Sequence, residues 1–359
     1  MKDLTITMLN DLPLFTGIGQ YTKDLIDFLI SNGYNIRYVS CFPYRSNLQN
    51  LHSVQLPLTY GNFKLGPNLR TITCSNLLQF RKFVTAPAHI TSQSLIPLGF
   101  RKKNVAITVH DLNQLHTTGY DFISTALMTT MLNLLREYEK IVVVSNFVKQ
   151  DILNHFRVYE NRIHVIYNWI DLSRIKIPNS SKKRSESETI TLIHVGNDQQ
   201  NKNINLIYEL LNKLPSSYEL IRVGSNSKRN IRYIERMGLK KKIRFYQGIS
   251  SGKLDELYNL ADIFIYPSTN EGFGRPLLEA MAHGLPVIYR NSSSLPEIAG
   301  DAGIPFDNDS LDEIAEKIHR TAEFDNYSKM SEKSIERSKF FDISNQKKTI
   351  LKFYDELIA

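Results

Sequence analysis

Apolar positions recur in two rhythms along the chain, and the rhythms alternate. Residues 4–10 form an apolar-rich run of strand length, and in residues 19–30 the apolar positions Tyr21, Leu25, Ile26, Leu29 and Ile30 fall at helical spacing. Residues 35–40 read as a strand again. The short β-branched runs 105–109 and 141–144 suit buried parallel strands, with helical periodicity over 122–138 between them. Ser145 stands where it would cap a helix over 146–156, and residues 163–166 close this half as a strand. The run 179–188, NSSKKRSESE, has no apolar anchor and predicts a linker. Beyond it the alternation restarts. Strands are predicted at 190–195, 218–223, 243–246, 263–266 and 287–289, a helix at 203–214, and a mostly helical tail over 310–357. This pattern predicts α/β architecture: two doubly wound, Rossmann-like domains at 1–178 and 189–340, and a C-terminal helix at 341–359 packing back on the first. Such sheets bind ligands at the carboxyl ends of their strands.

Composition narrows the class. With 42% apolar and 22% charged residues, the 359-residue chain has the balance of an ordinary globular protein. No apolar run approaches the roughly 18 residues a membrane-spanning helix needs. The first residues lack the features of a secretory leader. Two cysteines, Cys41 and Cys74, are too few for a disulfide framework and have no metal spacing, so a reducing cytoplasm is the expected compartment. No His/Asp/Glu set shows metal-ligand spacing, and no metal is expected. The net charge of +8 is uneven, +6 over 1–175 and +2 over 176–359. Two basic clusters with apolar neighbours, at 80–83 and 98–103, fit either weak contact with an anionic membrane surface or a plain solvated face. Nucleic acid is not an expected partner, because no zinc-finger, RRM or helix-turn-helix pattern accompanies the charge.

The densest chemical signal is the run 268–288, STNEGFGRPLLEAMAHGLPVI. A strand ends at Pro267, and a short loop carries Glu271 and two glycines. Pro276 then suits the first turn of a helix. Gly272 and Gly274 let backbone N–H groups approach a ligand, and the helix adds its positive end, which together suit a diphosphate. Glu279 lies about one turn further on, where a carboxylate can accept from neighbouring hydroxyls.

This run resembles the E-x7-E signature of the retaining glycosyltransferases of the GT-B fold, family 4. The resemblance extends over nearly the whole chain: TGIGQY at 16–21, TVHDL at 108–112, VSNFVK at 144–149, VIYNWID at 165–171, HVG at 194–196 followed by NKN at 201–203, SLPEI at 294–298 and DAG at 301–303. It implies two Rossmann-like domains facing a central cleft, the second holding a nucleotide-diphosphate sugar and the first most of the acceptor site. By resemblance, Glu271 sits beside the donor sugar hydroxyls, the backbone of Gly272, Phe273 and Gly274 faces the diphosphate, and Glu279 holds the ribose. Lys202 contacts the diphosphate and offsets the charge that grows as the nucleotide leaves. Ile249 falls where the family packs an apolar residue on the base, or is plain core. His110 lies near the sugar and the departing phosphate, donating a hydrogen bond or carrying positive charge, with Asp111 orienting it or capping the next segment. Gly17 and Gly19 admit the diphosphate or acceptor, or merely form the turn.

Two departures stand out. Asn197 and Asn201 occupy positions where the family often has Arg, and Arg275 is a candidate replacement cation. Trp169 replaces a usual Gly, which would be strained if that position takes positive φ. The expected function is retaining transfer of a hexose, from GDP-mannose or UDP-glucose as substrate, to a glycan or lipid-linked glycan at the inner membrane face, with no cofactor. The alternatives are a sugar-nucleotide-binding protein that has lost catalysis and a GT-B nucleotide-sugar epimerase.

Overall fold

Two all-parallel sheets collect the strand-length apolar runs. The computed structural model describes residues 4–14, 16–42, 51–56, 80–116, 122–175 and 189–359; the 179–188 segment and Cys74 lie outside these. The chain divides into two units, Met1–Asn168 with Lys347–Ala359, and Trp169–Gln346.

In the first unit the strands are β1 (Thr5–Asn10), β2 (Asn35–Ser40), β3 (Leu51–Gln55), β4 (Ala88–Ile90), β5 (Val105–Val109), β6 (Lys140–Val143) and β7 (Ile163–Val165). Their order is β3-β2-β1-β4-β5-β6-β7. Residues Ile6, Met8 and Leu9 of β1 are fully buried, as a central strand covered on both faces requires. Met8 is paired in register with Tyr38 on one side and His89 on the other. The chain's last residues complete this unit: Tyr354 meets His89 Nδ1 at 2.5 Å, and Tyr34 donates to Asp355 at 2.7 Å.

The second unit has β8 (Ile190–Val195), β9 (Tyr218–Val223), β10 (Ile243–Tyr246), β11 (Ile263–Tyr266), β12 (Val287–Arg290) and β13 (Gly303–Phe306), ordered β10-β9-β8-β11-β12-β13. Its core gathers Leu192, Leu220, Ile263 and Ile288 from the sheet with Ile207 and Leu211 from the helix Ile204–Lys213. In both sheets the order reverses beside the first strand, at β1/β4 and at β8/β11. These are the switch points where flanking loops part and a crevice opens.

The structure adds detail to three local expectations. The helical stretch 122–138 is a helix at Phe122–Leu132 that tightens into a 3-10 turn at Asn133–Glu137. The tail is three helices, Leu311–Ala322, Phe324–Phe340 and Ile343–Ile358. Trp169 is buried at 7% exposure and is not among the residues with positive φ, so replacing glycine there carries no left-handed strain.

Candidate functional site

At the switch point of the first sheet, β1, β4 and β5 end side by side. Thr16 caps the helix Gly17–Ser31, its Oγ1 accepting from Gly19 N at 3.1 Å. A Cβ on Gly19 would lie 2.0 Å from the Pro13 carbonyl oxygen, whereas one on Gly17 would meet nothing within 4 Å. Gly19 therefore builds the turn, and Gly17 leaves open backbone at the helix start.

His110 follows β5 directly and is buried at 7% exposure. Its Nε2 donates to the Thr91 carbonyl beyond β4 at 2.8 Å, which fixes the tautomer and leaves Nδ1 as an acceptor. Tyr21 packs edge-on against the ring at 4.9 Å. Burial pushes His110 down to about 4, so the imidazole is neutral near pH 7. Of the two expectations for His110, hydrogen bonding and positive charge, desolvation disfavours the second, and no described carboxylate pairs with the ring. Asp111 caps the next segment, its Oδ1 accepting from Asn113 N at 3.0 Å. Gln93, which the sequence reading passed over, holds the loop: its Oε1 accepts from His110 N at 2.8 Å and its Nε2 donates to the Asp111 carbonyl at 2.8 Å.

At the switch point of the second sheet, the loop after β8 meets the loop after β11. Lys202 Nζ lies 2.5 Å from Glu271 Oε1, with the two side chains 14% and 11% exposed. Tyr266, the last residue of β11, donates to the same carboxylate oxygen at 2.7 Å. Asn201 ties the two loops together: its Nδ2 donates to the Asn270 carbonyl at 2.9 Å, and its carbonyl accepts from Thr269 N at 2.8 Å. Asn201 is thus a positioning residue for Lys202, which explains an amide where a cation was looked for. Ser293 Oγ accepts from Glu271 N at 2.9 Å, and Ser294 Oγ donates to the Glu271 carbonyl at 2.9 Å. Ser293, at φ 52°, and Asn203, at φ 46°, are left-handed residues bracketing the pair. Backbone held in that region is characteristic of built sites.

The glycine loop behaves as its sequence suggests. Gly274 has φ 88°, and a Cβ there would lie 2.7 Å from Leu295 Cδ2, so only glycine fits. It precedes the helix Arg275–Ala282, with Pro276 in the first turn. Gly272 is buried in the loop, and Phe273 packs its ring on Phe341 at 5.6 Å, anchoring the backbone between the glycines. Glu279 accepts from Tyr258 OH at 3.1 Å and faces Arg275 Nε at 3.6 Å, so Arg275 leans along its own helix toward the second glutamate. Ile249 is half-buried in the loop after β10, and no described contact joins it to the Lys202–Glu271 pair.

Two buried groups beneath this site carry no role in the sequence expectations, although His194 lies in the matched HVG segment. Arg222 of β9 donates to the carbonyls of Gly196 (2.7 Å), Asn197 (3.2 Å) and Ser225 (2.9 Å), clamping the loops after β8 and β9. His194 of β8 is fully buried with neither ring nitrogen hydrogen-bonded. Burial, with Arg222 and Lys202 nearby, holds it well below the ordinary histidine range. Both sit inside apolar strand runs, where periodicity draws the eye away from single polar residues. Spacing along the chain shows no metal-ligand set, but in the first unit the fold brings one ligand atom each of His116, Asp151 and His155 within 4.8 Å of one another.

Paired doubly wound units of this topology are the GT-B architecture, and solved structures share it. Sucrose-phosphate synthase from Thermosynechococcus elongatus superposes with a TM-score of 0.80 over 99% of both chains, at 18% identity. The chain belongs to the family 4, group 1 glycosyltransferases: residues 15–174 match Glycosyltransferase Family 4 and residues 176–339 match Glycosyl transferases group 1. Among relatives, O-antigen chain mannosyltransferase B of Escherichia coli is 30% identical over 206 residues, 52% of each chain. O-antigen chain mannosyltransferase RfbU of Salmonella typhimurium is 28% identical over 257 residues, 68% of this chain and 70% of the relative. The chain thus spans about half the length of the first of these relatives.

Proposed function

We propose that this chain transfers a hexose, with retention, from a nucleoside-diphosphate sugar to a hydroxyl of a glycan or lipid-linked glycan. The observation that carries the reading is the buried Lys202–Glu271 pair at the second switch point, beside the glycine loop and helix start. The site presents a cation, a carboxylate and a glycine loop leading into a helix start within one short span, which matches a diphosphate carrying a polyol. In the transfer, the bond from the anomeric carbon to the diphosphate breaks. The acceptor oxygen bonds to the same face of that carbon, and its proton passes to the departing diphosphate. Lys202 offsets the leaving charge, Glu271 holds sugar hydroxyls, and Glu279 holds the ribose. His110, neutral with Nδ1 free to accept, takes a hydrogen bond from a hydroxyl. The relatives named as mannosyltransferases favour GDP-mannose over UDP-glucose.

A thermal-shift panel of UDP, GDP, ADP and their common sugars, on wild type and Glu279→Ala, tests the reading. A ligand that binds only the folded state raises the melting temperature by mass action. One nucleotide should stabilise wild type and not the variant, and its sugar should then be transferred with the anomeric configuration kept by NMR. Absence of any shift at millimolar nucleotide would remove the donor assignment and favour a chain that has lost catalysis.

The acceptor's lipid anchor is a further part of the proposal. Among the described residues no helix is long and apolar enough to cross a membrane. The two basic clusters lie together, because Lys102 Nζ donates to the Val84 carbonyl at 2.8 Å. Arg81, Lys82, Arg101 and Lys103 are exposed, as is Phe100, whose ring lies under the Arg101 guanidinium at 4.9 Å. Phe80 and Leu98 are core residues, so contact would be chiefly electrostatic. Sedimentation with anionic liposomes at low salt, reversed at high salt, is expected; failure to pellet at low salt would end the idea.

A further inference from the structure

We infer that the first unit carries a transition-metal site, formed by His116, Asp151 and His155 and suited to zinc, that pins the segment after β5 to the helix Asn146–His155. His116 ends the short helix Asn113–His116, a few residues beyond His110. Asp151 and His155 lie one turn apart on the helix Asn146–His155. The separation of 35 positions from His116 to Asp151 hides the set from any reading by spacing, and only the fold assembles it.

The geometry is that of a cation's ligands held together by protons. His116 Nε2 lies 2.9 and 2.8 Å from the two oxygens of Asp151. His155 Nδ1 lies 3.1 Å from Asp151 Oδ1 and 2.9 Å from the Asp151 carbonyl oxygen. The imidazoles meet edge to face at 5.4 Å and do not stack; His116 hydrogen-bonds the carboxylate, while His155 Nδ1 bonds the Asp151 carbonyl with the carboxylate alongside. Asp151 is only 6% exposed, and among the described ion pairs it meets imidazoles alone, with no Lys or Arg. A buried carboxylate flanked by two imidazoles, with no Lys or Arg among its described ion pairs, is a site where a dication can supply the balancing charge.

Bonds of about 2.0–2.2 Å to a tetrahedral ion set ligand atoms about 3.3 Å apart. The two nitrogen–carboxylate separations need to open by only a few tenths of an ångström, and the two ring nitrogens, within 4.8 Å of the set, to settle at the same spacing, while the ring protons leave and the lone pairs turn to the ion. Two imidazole nitrogens and one carboxylate oxygen are a donor set for zinc or cobalt rather than for calcium or magnesium. His116 and His155 are each partly exposed, which gives an ion a path in from solvent.

Chelator-treated protein titrated with Co(II) provides the test. One equivalent should bind saturably with the intense visible absorption of a low-coordinate ion, Zn(II) should displace it, and Zn(II) should raise the melting temperature of wild type. His116→Ala and His155→Ala should each abolish the saturable step and the zinc-dependent shift. Because both side chains are partly exposed, the melting temperature of each metal-free variant, measured alongside, should stay within a few degrees of wild type. A wild type with neither absorption nor shift would overturn the site, as would one-equivalent binding that persists in both variants.

Discussion

Lys202 and Glu271 neutralise each other where water scarcely reaches, and that makes each dependent on the other. Lys202→Met leaves a carboxylate that is 11% exposed with Tyr266 as its main described donor, a loss of about 3 kcal/mol or more. Glu271→Gln strands the ammonium in the same way, and either single change should abolish transfer. Combining Lys202→Met with Glu271→Gln removes both charges, so its melting temperature should recover toward wild type while activity stays lost. Thermal denaturation of the four proteins measures the coupling; single variants as stable as wild type would mean that solvent, not the partner, satisfies each charge. Both residues were legible because the motif around them is long. Tyr266 and Gln93 were not, and Asn201 was legible only as a missing cation, since a strand-end tyrosine and two amides acquire meaning only when the loops they tie are seen together.

Elements place these side chains, and glycines set how closely elements approach. Three of the four site glycines, Gly17, Gly19 and Gly274, differ in what a methyl group would meet, and so they separate folding from binding. Gly274→Ala forces a left-handed φ on a residue with Cβ and presses on Leu295, which costs about 1–3 kcal/mol and displaces the loop carrying Glu271. Gly19→Ala collides with the Pro13 backbone and should be the most destabilising of the three. Gly17→Ala meets nothing and should keep the melting temperature within about a degree or two. If Gly17 faces ligand, that variant lowers kcat/KM with stability intact; unchanged kinetics would reduce it to a turn residue. The alternating strands and helices were readable in outline because buried parallel strands are continuous apolar runs. β3, β4 and β13 escaped for physical reasons. Leu51–Gln55 is a half-exposed edge strand, Ala88–Ile90 is three residues long behind a proline, and Gly303–Phe306 contains glycine and proline.

Over the whole molecule, buried histidines make stability depend on acidity. Burial depresses His89 to about 3 and His110 to about 4, and His194 lies well below 6.5. In the unfolded chain each titrates near 6.5, so below that pH the unfolded state binds more protons than the folded one. The stability these groups contribute is therefore fully present above pH 6.5 and is lost as pH falls toward 4. Each costs about 1.4 kcal/mol per pH unit within that window. Asp11, which burial raises, acts in the opposite direction and offsets part of the loss in the first unit. The second unit holds His194 without a hydrogen bond on either nitrogen, and it also holds Trp169, the only tryptophan of the chain. Urea unfolding followed by tryptophan fluorescence from pH 7.5 to 5 should show the midpoint falling steadily below 6.5. His194→Phe fills similar space, removes the orphaned nitrogens and the proton they would take up, and should be at least as stable as wild type at pH 7.5. Its slope below pH 6.5 should be shallower by about 1.4 kcal/mol per pH unit. Parallel slopes in the two proteins would mean that His194 reaches water or a proton in the native state, and that the floor of the second switch point is wetter than its packing indicates.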